Sequence, residues 1–207
     1  MVVSISRVAS AVQVAGLIGL LIWATGCQSG PAVSSRQLIE HQALIDFSGL
    51  LPDRPAPSVK SMIAAPRRWE QLPTLSNVLF SDEQWRSPST HTGVGIVYAH
   101  LPLPISAKTV VWFAKQQYSK RAKDGKILSE WVDVLGRSWF EAENDKYHIR
   151  GYVVVKGLGA WVVYFGYRTK FPPNLGEISL AARSAETAVP LMDEMTAPAT
   201  QPSDDSD

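Results

Sequence analysis

Glu141 and His148 are the side chains in this sequence whose types and spacing come nearest to catalytic chemistry. They flank Asn144-Asp145. A two-residue hairpin turn at that pair sets Glu143 opposite Lys146, Glu141 opposite His148 and Trp139 opposite Arg150. A carboxylate held against an imidazole orients the ring and raises its basicity, as general acid–base catalysis requires. A hydrolase-like enzyme built on this dyad also needs a nucleophile, and the nearest hydroxyl, Ser138, falls on the other face of the hairpin. The plainer reading is a surface cross-strand pair, which contributes only about 0.2–1 kcal/mol. His91, His100 and His148 have no short metal-ligand spacing, so neither a metal nor a cofactor is expected. Gly157-Leu158-Gly159 has no helix after it to supply amide donors, and reads as a hairpin turn instead of a phosphate loop. Gly93-Val94-Gly95 lies in a strand, where it marks close packing.

The same turn puts Ala142 against Tyr147 and Phe140 against Ile149 on the second face of the hairpin. A three-residue loop would oppose Glu141 to Ile149 and Phe140 to Arg150, mixing polar with apolar, so the even loop is the expected one. The chain continues through Tyr152–Val155 and turns at Gly157-Leu158. That turn pairs Val153 with Val162 and Val155 with Ala160. The other face carries Val154 against Trp161 and Tyr152 against Val163, followed by Phe165 and Tyr167. This face begins polar at Glu141 and His148 and becomes aromatic across the sheet, which a solvated face does not do. Either another part of the chain covers it or a partner does. In the second case Trp139, Arg150, Tyr152, Trp161, Phe165 and Tyr167, together with Trp131, form a candidate binding surface. In the first they are ordinary core, with Trp139 the one expected to stay exposed, stacked on Arg150 for about 0.5–1 kcal/mol.

The elements that position these residues follow from periodicity and punctuation. Thr92–Leu101 alternates as a strand, and Leu101-Pro102-Leu103-Pro104 breaks it. Ser106 then caps a helix over 107–121, with Val110, Val111, Ala114 and Tyr118 on one face and basic residues toward its C-terminus. Lys126–Val134 reads as a further strand turning at Gly136. After Pro172-Pro173, Asn174 and Glu177 are spaced as a capping box. Ile178, Ala181, Ala182, Ala185 and Val189 form its helix's apolar stripe, which Pro190 stops. The order predicts an α+β domain over 66–192: an antiparallel sheet of about four to five strands flanked by helices, a layered α/β/α sandwich. Residues 27–65, with four prolines near their end and just beyond (Pro52, Pro55, Pro57, Pro66), read as tether and linker with a short helix over 37–51. Residues 193–207 read as a disordered acidic tail.

Residues 1–26 have the build of a secretory leader: one cation at Arg7, an apolar stretch from Val14 to Ala24, then Thr25-Gly26-Cys27. Ala24-Thr25-Gly26-Cys27 resembles a lipobox, the cleavage and lipidation motif of bacterial lipoproteins, with alanine where leucine is commoner. The resemblance implies cleavage before Cys27 and diacylglycerol on its thiol, and Gln28 after it implies the outer membrane, facing the periplasm, in the cell envelope. One cysteine excludes an internal disulfide framework. Removing Arg7 with the leader takes the basic residues from 20 to 19, matching 19 acids, so the mature chain offers no electrostatic footprint for nucleic acid.

The element order, with Trp69 in a lead-in after Pro66, resembles the PsbP-like and DcrB-like domains. That resemblance rests on order over about 66–192 and transfers no functional residue. What it implies is a non-enzymatic binding or assembly factor. The expected function is a lipid-anchored envelope protein that binds or steadies a protein or small ligand. The alternatives are the hydrolase-like enzyme using His148 and Glu141 and a structural subunit of an envelope assembly.

Overall fold

The computed structural model describes residues 49–52, 54–77, 79–121 and 124–191. The leader, Cys27 and the acidic tail lie outside them, as does all but the end of the expected 37–51 helix.

Among the described residues, ten strands and two α-helices follow one another as β1 Arg54–Ala56, β2 Ser61–Ile63, β3 Glu70–Gln71, β4 Phe80–Arg86, β5 Gly93–His100, α1 Ala107–Arg121, β6 Lys126–Val132, β7 Ser138–Glu143, β8 Tyr147–Lys156, β9 Gly159–Arg168, α2 Leu175–Glu186 and β10 Val189–Pro190. The main sheet is antiparallel with seven strands in the order β3-β4-β5-β9-β8-β7-β6, and a small sheet runs β1-β2-β10. The fold is therefore α+β, but the expected four to five strands fall short. The sequence reading missed β4 because Phe80-Ser-Asp-Glu-Gln-Trp-Arg86 carries charge and amide at most positions instead of clean alternation. Yet Ser81, Asp82 and Glu83 are all buried there. Strand β6 is shorter than the expected run to Val134. It ends at Val132, because Asp133 starts the turn, its Oδ1 accepting from Leu135 N and Arg137 N at 2.9 Å each.

The two faces of the main sheet are packed by different helices. On one, Val94, Ile96, Tyr98, Tyr152, Trp161, Val163, Phe165 and Tyr167 meet Ile178, Ala181, Ala182 and Ala185 of α2. On the other, Val97, Phe140, Ile149, Val153 and Val162 meet Val111 of α1. Small alanines on α2 let its backbone approach large rings across the sheet. Asn174 caps the helix as expected, accepting from Glu177 N at 3.1 Å. Val189 does not extend the stripe: α2 ends at Glu186, and Val189 pairs with Met62 in the small sheet.

A strap over residues 54–65 shares the cover with α2. Ala56, Val59, Ile63 and Ala65 are buried in the same core, so packing begins well before Pro66. Pro55 pairs with Met62 within β1 and Pro57 opens a short 3-10 turn, so the prolines do not keep the chain off the core. Hydrogen bonds fix the strap in place: Trp161 Nε1 donates to Val59 O at 2.9 Å, Ser184 Oγ to Ala64 O at 2.7 Å, and Ala64 N to Thr187 Oγ1 at 2.9 Å. Tyr152 Oη donates to Ala185 O at 2.8 Å, a carbonyl in the last turn of α2, where the regular helical donors run out.

The β8–β9 register is the expected one, with Val153 opposite Val162 and Val155 opposite Ala160. The β7–β8 register is shifted. Asn144 Oδ1 accepts from Lys146 N at 2.8 Å and Tyr147 N at 2.7 Å, an Asx turn that moves the two turn residues on to Asp145-Lys146. Glu143 therefore faces His148, Glu141 faces Arg150 and Trp139 faces Tyr152. The shift moves each partner by two residues, so every side chain keeps the face expected of it.

Removing the Trp161 donor tests the strap. Trp161→Phe should leave two strap carbonyls without that N–H and lower unfolding free energy by about 1 kcal/mol beyond the loss of ring area. Chemical denaturation measures it, and an unchanged midpoint would show that the strap does not depend on this bond.

Candidate functional site

The expected dyad is present as part of a larger, buried ion network. His148 Nε2 lies 2.8 Å from Glu141 Oε1, and its Nδ1 lies 3.1 Å from Glu143 Oε2. Arg150 Nη2 donates to the same Glu141 oxygen at 2.9 Å, and Ser129 Oγ donates to Glu141 Oε2 at 2.9 Å. The Tyr167 ring stacks on the imidazole at 5.2 Å. Burial alone would raise the Glu141 carboxyl. The His148 hydrogen bond, the Arg150 charge and the bonds from Arg150 and Ser129 outweigh it and bring the group down to about 2.

That arrangement is wrong for nucleophile activation. In a Ser-His-acid relay the imidazole stands between hydroxyl and carboxylate. Here the carboxylate stands between them, and with so low a proton affinity it is a poor base for Ser129. Both ring nitrogens of His148 already face carboxylates, so neither is open to a substrate. The network joins β6, β7 and β8 laterally.

Of the seven residues of the candidate binding surface, six are buried and Trp131 alone is exposed. Trp139, expected to be exposed, is tucked under the β6–β7 turn with its Nε1 donating to Asp133 Oδ2 at 2.8 Å and Trp131 stacked on it at 5.6 Å. Arg137, not Arg150, lies over its ring, and Arg150 lies over Trp131. Tyr152, Trp161, Phe165 and Tyr167 are core under α2 and the strap. Among the described residues no three metal-ligating side chains gather. His91 and His100 stand at opposite ends of β5.

The structure opens a different site, on the α1 face of the main sheet where α1 does not reach. A groove of about 350 Å³ runs over β4, β5 and β9, with Gly93 and Gly166 in its floor and Leu72, Pro73 and Leu75 forming an apolar wall. Gly93 and Gly166 are opposite each other, and Gly95 is opposite Tyr164. A Cβ on Gly95 would collide with the Tyr164 phenol, and one on Gly166 would come within 2.7 Å of the His148 carbonyl oxygen. The glycines thus let a tyrosine lie flat and a neighbouring strand approach, leaving a hollow above them. Close packing, the reading of Gly93-Val94-Gly95 from sequence, holds at Gly95; at Gly93 the added atom would meet nothing nearer than Trp85 O at 3.4 Å.

Arg86, His91 and Arg168 also line the groove. Arg86 is held by Glu70 at 2.9 Å, and the Arg168 guanidinium sits over the Tyr147 ring at 5.8 Å. His91 occupies a left-handed backbone conformation with φ 58°. The turn carrying it is tied down by Glu177 at the start of α2, which accepts from Ser89 Oγ at 2.8 Å and from Thr90 Oγ1. Burial lowers the His91 pKa, and the charges of Arg168 and then Arg86 lower it further. Tyr164 is raised well above the usual phenol value by burial and by the Asp82 charge. Tyr164 Oη, His91 Nδ1 and Arg86 Nε are buried without hydrogen-bond partners, a state that costs about 1–3 kcal/mol per group.

No protein-family model and no curated protein matches the sequence. Among solved structures, a chain from Bacteroides thetaiotaomicron VPI-5482, crystallised at 1.50 Å resolution, is similar over 69% of this chain and 49% of that one, with 11% identity and a TM-score of 0.39. This chain thus spans about half of that protein's length.

Sequence reasoning missed Arg86 with the strand that carries it, and weighed His91 only as a metal ligand. The available signal was glycine parity. Gly93, Gly95, Gly151 and Gly166 fall on one face once β5, β8 and β9 are aligned.

The low Glu141 pKa has a signed consequence. Its folded value of about 2 lies below its ordinary 4.5, so the stability it confers is complete above the ordinary value and is lost as pH falls toward 2. The amplitude is on the order of 2–3 kcal/mol. Glu141→Gln should remove most of that acid dependence and destabilise the protein at neutral pH, by about 3 kcal/mol if His148 and Arg150 stay buried. Melting temperature followed from pH 7 to pH 2 for both proteins checks this, and parallel acid slopes would refute it.

Proposed function

We propose that this chain is a lipid-anchored protein of the bacterial cell envelope whose α+β domain is a non-enzymatic binding module, and that its binding site is the groove over β4, β5 and β9. The observation that carries the binding reading is the groove itself. It is a hollow of ligand size, built by glycines and bordered by buried polar atoms that have no partner within the protein. The leader and the Ala24-Thr25-Gly26-Cys27 motif support the address. Two acyl chains anchor firmly where one does not. The hydrolase-like alternative is disfavoured by the order of groups around His148, and a purely structural subunit has no use for an unfilled polar hollow.

Gly93→Leu separates binding from folding, because the new side chain enters the groove where a Cβ has room. Full-length protein released from membranes should carry a small-molecule mass in native mass spectrometry. Gly93→Leu should lose that mass at an unchanged melting temperature, and a wild type that carries none would count against the binding reading. Intact mass should show a cleaved wild type carrying lipid and a Cys27→Ser variant carrying none; an uncleaved wild type whose mass the substitution leaves without any lipid difference would refute the anchor alone.

A further inference from the structure

Every ionisable group lining the groove other than its two phenols is of basic type. Arg86, His91 and Arg168 stand there, and Leu72, Pro73 and Leu75 supply apolar lining from the β4 edge. The nearby acids are already engaged. Glu70 pairs with Arg86, and Asp82 accepts from Leu75 N at 2.7 Å and from Gln84 Nε2. Among the described residues Arg168 has no ion-pair partner, and its guanidinium is positioned by the face of Tyr147. His91 is carried on a strained, tied turn that holds its ring close to the two arginines.

We infer that the groove takes a small amphipathic carboxylate, its anionic head against Arg168 and His91 and its apolar body along Leu72, Pro73 and Leu75. This rests on the reading of the groove as the binding site and adds the class of ligand. A carboxylate has the acceptors that the Arg168 fork lacks among the described residues, with the imidazole of His91 beside it. A cationic ligand would meet like charge, and a neutral one would leave the Arg168 charge without a counter-charge. Gly93 and Gly166 give the ligand body a floor with no side chain above it. Tyr164 Oη lies over Gly95 on the same face and remains within the protein's own packing.

The test is isothermal titration of the full chain with decanoate, decanol and decyltrimethylammonium below their micelle-forming concentrations. Wild type, Arg168→Gln and Gly93→Leu are titrated in parallel. Decanoate should bind wild type at least tenfold more tightly than decanol, and decyltrimethylammonium should not bind. Arg168→Gln should bring decanoate down to the level of decanol, and Gly93→Leu should abolish both. If decanol matches decanoate and Arg168→Gln changes neither, while Gly93→Leu still abolishes binding, the carboxylate inference fails and the groove reading stands. If nothing binds the wild type, or Gly93→Leu binds as wild type does, both fail. Melting temperatures of the two variants, expected within a few degrees of wild type, show that lost binding is not lost folding.

Discussion

The aromatic face of β8 and β9 is the constraint on which the rest of this structure depends. Tyr152, Trp161, Phe165 and Tyr167 present more apolar area than a solvated sheet tolerates, and their polar tips need partners once buried. Both demands are met by the same two segments. Helix α2 lays alanines over the rings, and the strap closes the remaining gap. The phenol of Tyr152 then reaches a carbonyl at the end of the helix, and the indole of Trp161 reaches the strap. A leucine-lined face would have been covered as well but would not have specified where the cover sits. The hydrogen-bonding rings set both the contact and its position.

The opposite face of the same strands is built on a contrary principle. Alternation makes the residues between the large rings point the other way, and several are glycines. One sheet therefore has a dense face and a hollow one. The hollow side retains an uncovered stretch because α1 packs mainly on β7 and β8 and reaches β5 only near Val97. Glycine costs strand stability by exposing backbone and offering nothing to pack. That loss is supportable here because the aromatic face carries the cohesion of the layer.

How much of this was legible in the sequence depended on how locally each feature is encoded. Helix α1 and the cap of α2 could be placed because Ser106, Asn174 and their following stripes lie within a few residues of what they specify. The β8–β9 register was readable because a short turn and alternating side chains agree. The β7–β8 register slipped because Asn144 could be read as a turn residue, whereas its side chain brackets the turn from outside. Strand β4 was invisible since its buried Ser81 and Glu83 are satisfied by the strap, some two dozen residues earlier: Glu83 accepts from Ser58 Oγ, and Ser81 donates to Ser58 O. For the site, the shared face of Glu141 and His148 and the lack of a nucleophile beside them were legible, but their burial and the pairing of Glu141 with Arg150 were not. Ser129, Glu143 and Arg150 converge only through the sheet. The groove was hidden in the same way, since Arg86 and Arg168 are brought together across three strands.

The small sheet has a consequence for how the molecule would present itself to a surface. Strand β2 lies between β1 and β10, and Leu191 N donates to Lys60 O at 2.8 Å, so the described chain ends beside the strap that begins it. Gly49, where the description starts, lies against Leu180 of α2. Both ends thus emerge from the covered side of the main sheet, while the groove opens on the reverse. Any contact made at these two ends of the described chain is therefore made on the side away from the hollow.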